Sequence, residues 1–275
     1  MERYSVASSQ AEKATKIDAM MEQASKALVS RDYFAAEKLA SGALRRANQE
    51  QDFERMARIL LPLQEARRLK RQLAIDTERV TVVTGEIPAG KSLTSGCYLI
   101  TPPRVGVDGR MLREAADERR TPVIVLVREP TSRDGMWPLV AVGPVTVRAK
   151  VPPPPPAKVA PAKKPKVAAK PAKGKTKADQ PAPAQVAAPP TAIANPTPTA
   201  EWFVHAAELL GDEAIAQVAA TLPAAVRVAA LLDRLEAHPN HEKLHQRLAE
   251  ACREAVLEPP RKRRPGMEEF LDEDF

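Results

Sequence analysis

Two stretches of the chain have the residue types and spacing of catalytic sites. Gly85-Glu86-Ile87-Pro88-Ala89-Gly90-Lys91-Ser92 fits the G-x-x-x-x-G-K-S pattern. In that chemistry backbone amides cradle phosphates, the lysine reaches the β/γ-phosphates and the serine holds magnesium; here those would be Lys91 and Ser92. His241-Glu242-Lys243-Leu244-His245 fits H-E-x-x-H, and His238 lies just upstream. Two imidazoles one helical turn apart can hold zinc while the intervening glutamate activates a water.

Each chemistry needs a particular element to position it. The phosphate loop needs a helix that starts at its lysine, yet Leu93-Thr94-Ser95-Gly96-Cys97-Tyr98-Leu99-Ile100-Thr101-Pro102-Pro103 is too short and too β-prone. It also needs an apolar strand ending in a magnesium-binding Asp, but Val123 to Val127 runs into Arg128-Glu129. The zinc motif begins directly after Pro239-Asn240, at a helix start, and carries a charged Lys243. No downstream third ligand follows it, and the remaining Ser, Asp and His residues form no ordered triad. The sequence therefore reads as a non-enzyme. No catalytic, cofactor-binding or metal-ligating residue is assigned, and no cofactor is expected.

Helical periodicity dominates residues 9–75. Ile17, Met20, Met21, Ala24, Ala27 and Leu28 place one helix at about Ala11–Val29. Ser30-Arg31-Asp32 makes a turn, with Asp32 as N-cap of a second helix from Tyr33 to about Ala47. A third, from about Asp52 to Leu73, carries Phe53, Met56, Leu60, Leu63, Ala66, Leu69 and Leu73, with a kink expected at Pro62. Arg67, Arg68, Lys70 and Arg71 crowd its end, where cations complement the helix dipole.

Arg31-Asp32-Tyr33-Phe34-Ala35-Ala36, followed by Ala40, Ala43 and Leu44, resembles the second helix of a tetratricopeptide repeat. Ala36 and Ala43 stand at the small positions where paired helices cross closely, and Ala24 stands at the small position of the first helix. Met20, Gln23 and Ala27 depart from the large residues usual there. The resemblance covers about one repeat, under a fifth of the chain. It implies a helical hairpin that binds protein, with the third helix as a cap.

Residues 79–150 change period. Arg79 to Val83, Cys97 to Ile100, Val123 to Val127, Leu139 to Val142 and Val145 to Val147 read as short strands bounded by Gly and Pro, with one helix from Gly109 to Arg120. This predicts a small β-rich α+β domain. Of the 27 prolines, 14 lie between Pro152 and Pro198, which marks 151–198 as a disordered Lys/Pro/Ala linker. Residues 199–258 then read as a C-terminal α-helical module: Thr199 as N-cap, a helix to about Leu210, and helices at Asp212–Ala220, Pro223–Ala237 and His241–Leu257. A basic then acidic tail covers 259–275. The expected fold class is multi-domain and mixed, with the linker separating the C-terminal helices from the rest.

Charge is segregated along the chain. Eight lysines stand against Asp179 in the linker, whereas the residues after Pro198 hold nine basic and fifteen acidic side chains. Such asymmetry bears on partners. Cys97 and Cys252 fall in different regions and are expected as two reduced, packed thiols. The N-terminal residues carry no signal-peptide-like apolar run, and no stretch has membrane-span length, so a cytoplasmic protein without membrane attachment is expected.

The leading functional expectation is a non-catalytic adaptor or scaffold that binds protein partners, or a second copy of itself, through helical modules joined by the linker. The alternative is a nucleic-acid-associated protein. The lysine tract resembles the basic tails of bacterial and histone-like nucleic-acid proteins, and the acidic end at Phe275 resembles the docking tip of bacterial single-stranded-DNA-binding proteins. Its phosphate contacts would be non-specific, from Lys158, Lys163, Lys164, Lys166, Lys170, Lys173, Lys175, Lys177, Arg261, Lys262, Arg263 and Arg264. No aromatic interleaves these residues to stack on bases.

Overall fold

The computed structural model describes residues 2–155 and 198–258. They form α1 (Glu2–Val29), α2 (Tyr33–Gln49), α3 (Phe53–Ile75), β1 (Val80–Val83), β2 (Gly96–Ile100), α4 (Gly106–Glu118), β3 (Val123–Arg128), β4 (Trp137–Val142), β5 (Thr146–Val151), α5 (Ala200–Ala216), α6 (Ala224–Ala237) and α7 (Glu242–Leu257). The mixed class expected from sequence is present: helices at both ends and a five-stranded sheet between them. The lysines 158–177, Arg261–Arg264 and the tail 259–275 lie outside the described residues.

Capping sets the helix starts. The Asp32 carboxylate accepts from the Ala35 amide at 3.0 Å and Asp52 from the Arg55 amide at 3.0 Å. Thr199 Oγ1 accepts from the Trp202 amide at 3.2 Å. Each satisfies a first-turn donor that has no partner within the helix. Arg31 and Gln51, at φ 62° and 54°, turn the chain back between successive helices. α1 begins nine residues earlier than the Ala11 expected from periodicity, and α3 continues through Pro62.

The sheet order is β1-β2-β3-β4-β5, parallel from β1 to β3 and antiparallel from β3 to β5. All of β2 is buried, so both its faces are covered. Tyr98, Ile100, Val127 and Val140 face α4 through Leu112 and Ala116. Cys97, Leu99, Ile124, Leu126 and Leu139 turn the other way, into a core shared with α3 and α5.

That shared core corrects the expected separation. Helices α5 to α7 do not stand apart from the N-terminal half; Ile17, Met56, Leu60, Leu126, Phe203, Leu231 and Leu248 belong to one apolar cluster. α7 lies along α3, α6 along α7, and α5 against β5. The α3–α7 pairing is antiparallel, since Arg71 meets Glu242 while Ala57 and Arg253 border one groove. The helices therefore form a layer in the order α1-α2-α3-α7-α6, although the chain enters its last two places only after building the sheet and α5.

The end of β5 and the start of α5 lie side by side. Trp202 Nε1 donates to the Pro152 carbonyl at 3.0 Å, and the Trp202 ring meets Trp137 edge-on with centroids 5.6 Å apart. Two close approaches complete the junction. A Cβ on Gly143, in the β4–β5 turn, would lie 2.7 Å from the Ala237 backbone, and one on Gly211 would lie 2.1 Å from the His241 ring. Gly211 was the expected helix break. Instead α5 runs straight through it, because the missing side chain is the space that His241 occupies.

Candidate functional site: a charged cleft at the helix–sheet junction

The basic cluster on α3 is the centre of an ionic network. Arg67 Nε donates to Glu37 Oε1 on α2 at 2.8 Å, and Lys70 Nζ donates to Glu37 Oε2 and to Asp117 Oδ1 on α4, each at 2.5 Å. Lys70 is only 9% exposed and lies 4.2 Å from the Phe34 ring centroid. Arg71 reaches Glu208 on α5 at 2.7 Å and Glu242 on α7 at 3.1 Å. Arg68 alone pairs within its own helix, with Glu65. The expected dipole role of this cluster thus gives way to stitching α3 to four other helices. Burial by itself would raise the Glu37 carboxyl, but the Arg67 and Lys70 charges outweigh it and hold Glu37 at about 2. For Asp117 burial wins over Lys70, and its carboxyl titrates above the ordinary value.

The H-E-x-x-H residues fold into this network. A carbonyl only accepts, so His245 Nδ1–H donates to the His241 carbonyl at 2.9 Å, leaving Nε2 to accept from Arg67 Nη1 at 3.2 Å. Likewise His238 Nε2–H donates to the Ala207 carbonyl at 2.9 Å. Burial drives both rings down to about 3, helped by the nearby His241 for His238 and by Arg67 for His245. The His241 ring is buried, with Nε2 3.1 Å from Glu208 Oε2 and 3.4 Å from Asp212 Oδ1, close enough for charge contact but not aligned as hydrogen bonds. His241, with Arg71, holds Glu208 near 2. The two motif histidines therefore do not converge: His245 has both nitrogens engaged by protein, and Glu242 is tied to Arg71. Among the described residues no group of three or more His, Cys, Asp or Glu is placed to hold a metal ion.

The phosphate-loop-like stretch lies elsewhere. Gly90–Ser92 is a single 3-10 turn closed by Ser92 Oγ donating to the Ala89 carbonyl at 2.7 Å. Lys91 is exposed and the chain enters β2 rather than an α-helix. Cys97 and Cys252 are free and buried, and burial pushes their thiols up to about 11 and about 12.

Beside the network a cleft of about 450 Å³ opens between α2, α3, α4, α6 and the β4–β5 turn. Leu44, Leu63, Leu232 and Leu235 supply apolar wall, and Arg45, Arg67, Arg110 and Arg113 supply cations. Nothing in the local sequence announces this site, because its residues come from four helices and a turn. Among the described residues no helix is long and apolar enough to cross a membrane. No family model, curated protein or solved structure matches the chain.

Proposed function

We propose that this protein is a non-catalytic adaptor that holds a protein partner on its helical layer. The observation that supports this reading is the α1-α2-α3-α7-α6 order, in which antiparallel neighbours pack side by side as they do in repeat arrays. A single tetratricopeptide-like hairpin is too short to be stable alone, and stacking α7 and α6 onto α3 supplies the missing neighbours. The layer also carries a groove of about 320 Å³ between α3 and α7, bordered by Ala57, Leu60, Gln64, Ala249 and Arg253, with Leu61 74% exposed at its edge. The test is co-purification from the native cell with and without nuclease, using the intact chain and Leu61→Glu. Partners that survive nuclease and are lost with Leu61→Glu are the expected outcome. Absence of any nuclease-resistant partner refutes the adaptor.

One observation favours the second reading, nucleic-acid association. Pro152 and Trp202, which flank the tract in sequence, are hydrogen-bonded to each other, and the sequence between them carries eight lysines against one acid. Four to six simultaneous phosphate contacts give a double-logarithmic salt slope of about −4 to −5 on duplex DNA, without sequence preference. A fluorescence titration across salt compares the chain with a Lys→Gln variant of that tract. Equal affinity of the two removes this reading.

A further inference from the structure

The cleft beside the ionic network holds a partly buried cation with no carboxylate partner among the described residues. Arg113, half-buried on α4, makes one hydrogen bond among the described residues, from Nη1 to the Ala237 carbonyl at 3.3 Å, and has no carboxylate within ion-pair distance. Its surroundings explain why. Glu37 is taken by Arg67 and Lys70, Asp117 by Lys70, and Glu114 by Arg110. Glu236, at the exposed rim, is the one carboxylate lining the cleft without such a pair. Arg45, exposed on α2 across the opening, likewise has no ion pair among the described residues.

A guanidinium drawn out of water without a counter-ion is costly, and proteins keep such groups mainly where an anion arrives to pair with them. Burial lowers Arg113 to about 10, which leaves it charged at neutral pH and poorly compensated. Its planar fork suits the two oxygens of a carboxylate or phosphate. The adjoining leucines make a wall for an apolar group attached to that anion.

We propose that this cleft binds a small organic oxyanion, a carboxylate or phosphate ester with an apolar body, through Arg113 at its floor and Arg45 at its rim. The site is separate from the α3–α7 groove, so it stands or falls independently of the adaptor reading. The rival role for Arg113 is to cap the end of α6 through Ala237, and the experiment distinguishes the two.

Phenyl phosphate and benzoate are titrated into the full chain by calorimetry, against sodium chloride of matched ionic strength, with Arg113→Gln, Arg113→Lys and Arg45→Gln alongside. Saturable binding of at least one probe is expected, and which of the two binds identifies the anion class. Arg113→Gln should weaken binding by about tenfold or more, and Arg45→Gln by about threefold to tenfold. Arg113→Lys should fall between wild type and Arg113→Gln, because it keeps the charge and loses the fork. Because Arg45 is exposed, its variant decides the matter if Arg113→Gln does not fold. Failure of both probes to bind, or binding unchanged in Arg45→Gln and every folded Arg113 variant, overturns the proposal and leaves Arg113 as a helix cap.

Discussion

Replacing Glu37 by Gln tests how much the ionic network contributes to the stability of the fold. Glu37 is the only carboxylate among the described residues shared by Arg67 and Lys70, at 2.8 Å and 2.5 Å, and its side chain is 16% exposed. Glutamine keeps the shape and removes the charge, leaving Arg67 without its carboxylate and Lys70 with Asp117 alone. Two routes give the magnitude. Breaking one partner out of a buried pair costs about 3–5 kcal/mol. Lowering the carboxyl from 4.5 to about 2 corresponds to about 3 kcal/mol at ~1.36 kcal/mol per unit. A loss of about 3 kcal/mol is a substantial fraction of the ~5–15 kcal/mol that holds a domain folded. Because the folded-state value is depressed, this contribution is complete above pH 4.5 and is lost as pH falls through about 2. Urea unfolding at pH 7 should show the Glu37→Gln midpoint well below wild type with a similar slope, and the gap should narrow below pH 4.5. Adding Lys70→Met should restore part of the loss. A single variant within about 1 kcal/mol of wild type would refute the reasoning, because exposed surface pairs are worth up to about that much.

Trypsin should cut first within lysines 158–177, yet the nicked chain should elute as one species and melt in one transition, since both fragments share a core. Fragments that separate, or two transitions, would contradict the shared core. Gly211→Ala drives a methyl to within 2.1 Å of the His241 ring and should lower stability by about 1–3 kcal/mol, measured by urea unfolding. His238 and His245 are depressed from 6.5 to about 3, so the unfolded chain binds more protons than the native one between these values. Stability should therefore fall as pH drops below 6.5, by up to ~2.7 kcal/mol per pH unit for the two rings, and His245→Gln should about halve that slope. A stability curve flat from pH 6.5 to 4.5 would show that these rings titrate normally.

The local elements were legible because they depend on neighbours in sequence. Alternating β-branched runs gave every strand to within four residues at each end, and Asp32 and Thr199 marked helix starts, since a cap satisfies donors only a few residues away. Pro and Lys composition set off the stretch after Val151. What sequence could not decide is which surfaces meet. Amphipathic periodicity says that α3 and α7 each bury a face, not that they bury them against each other across the intervening sheet. The same limit applied to Arg67, Lys70 and Arg71, which look like any cations near a helix end until Glu37, Asp117, Glu208 and Glu242 arrive from four other helices. It applied to Gly211, whose lack of a Cβ reads locally as a helix break and in the folded chain is the space for an imidazole. Hydrogen bonds within a turn are written in a few consecutive residues. Packing and charge pairing are properties of pairs far apart in the chain, and only the tertiary structure brings them together.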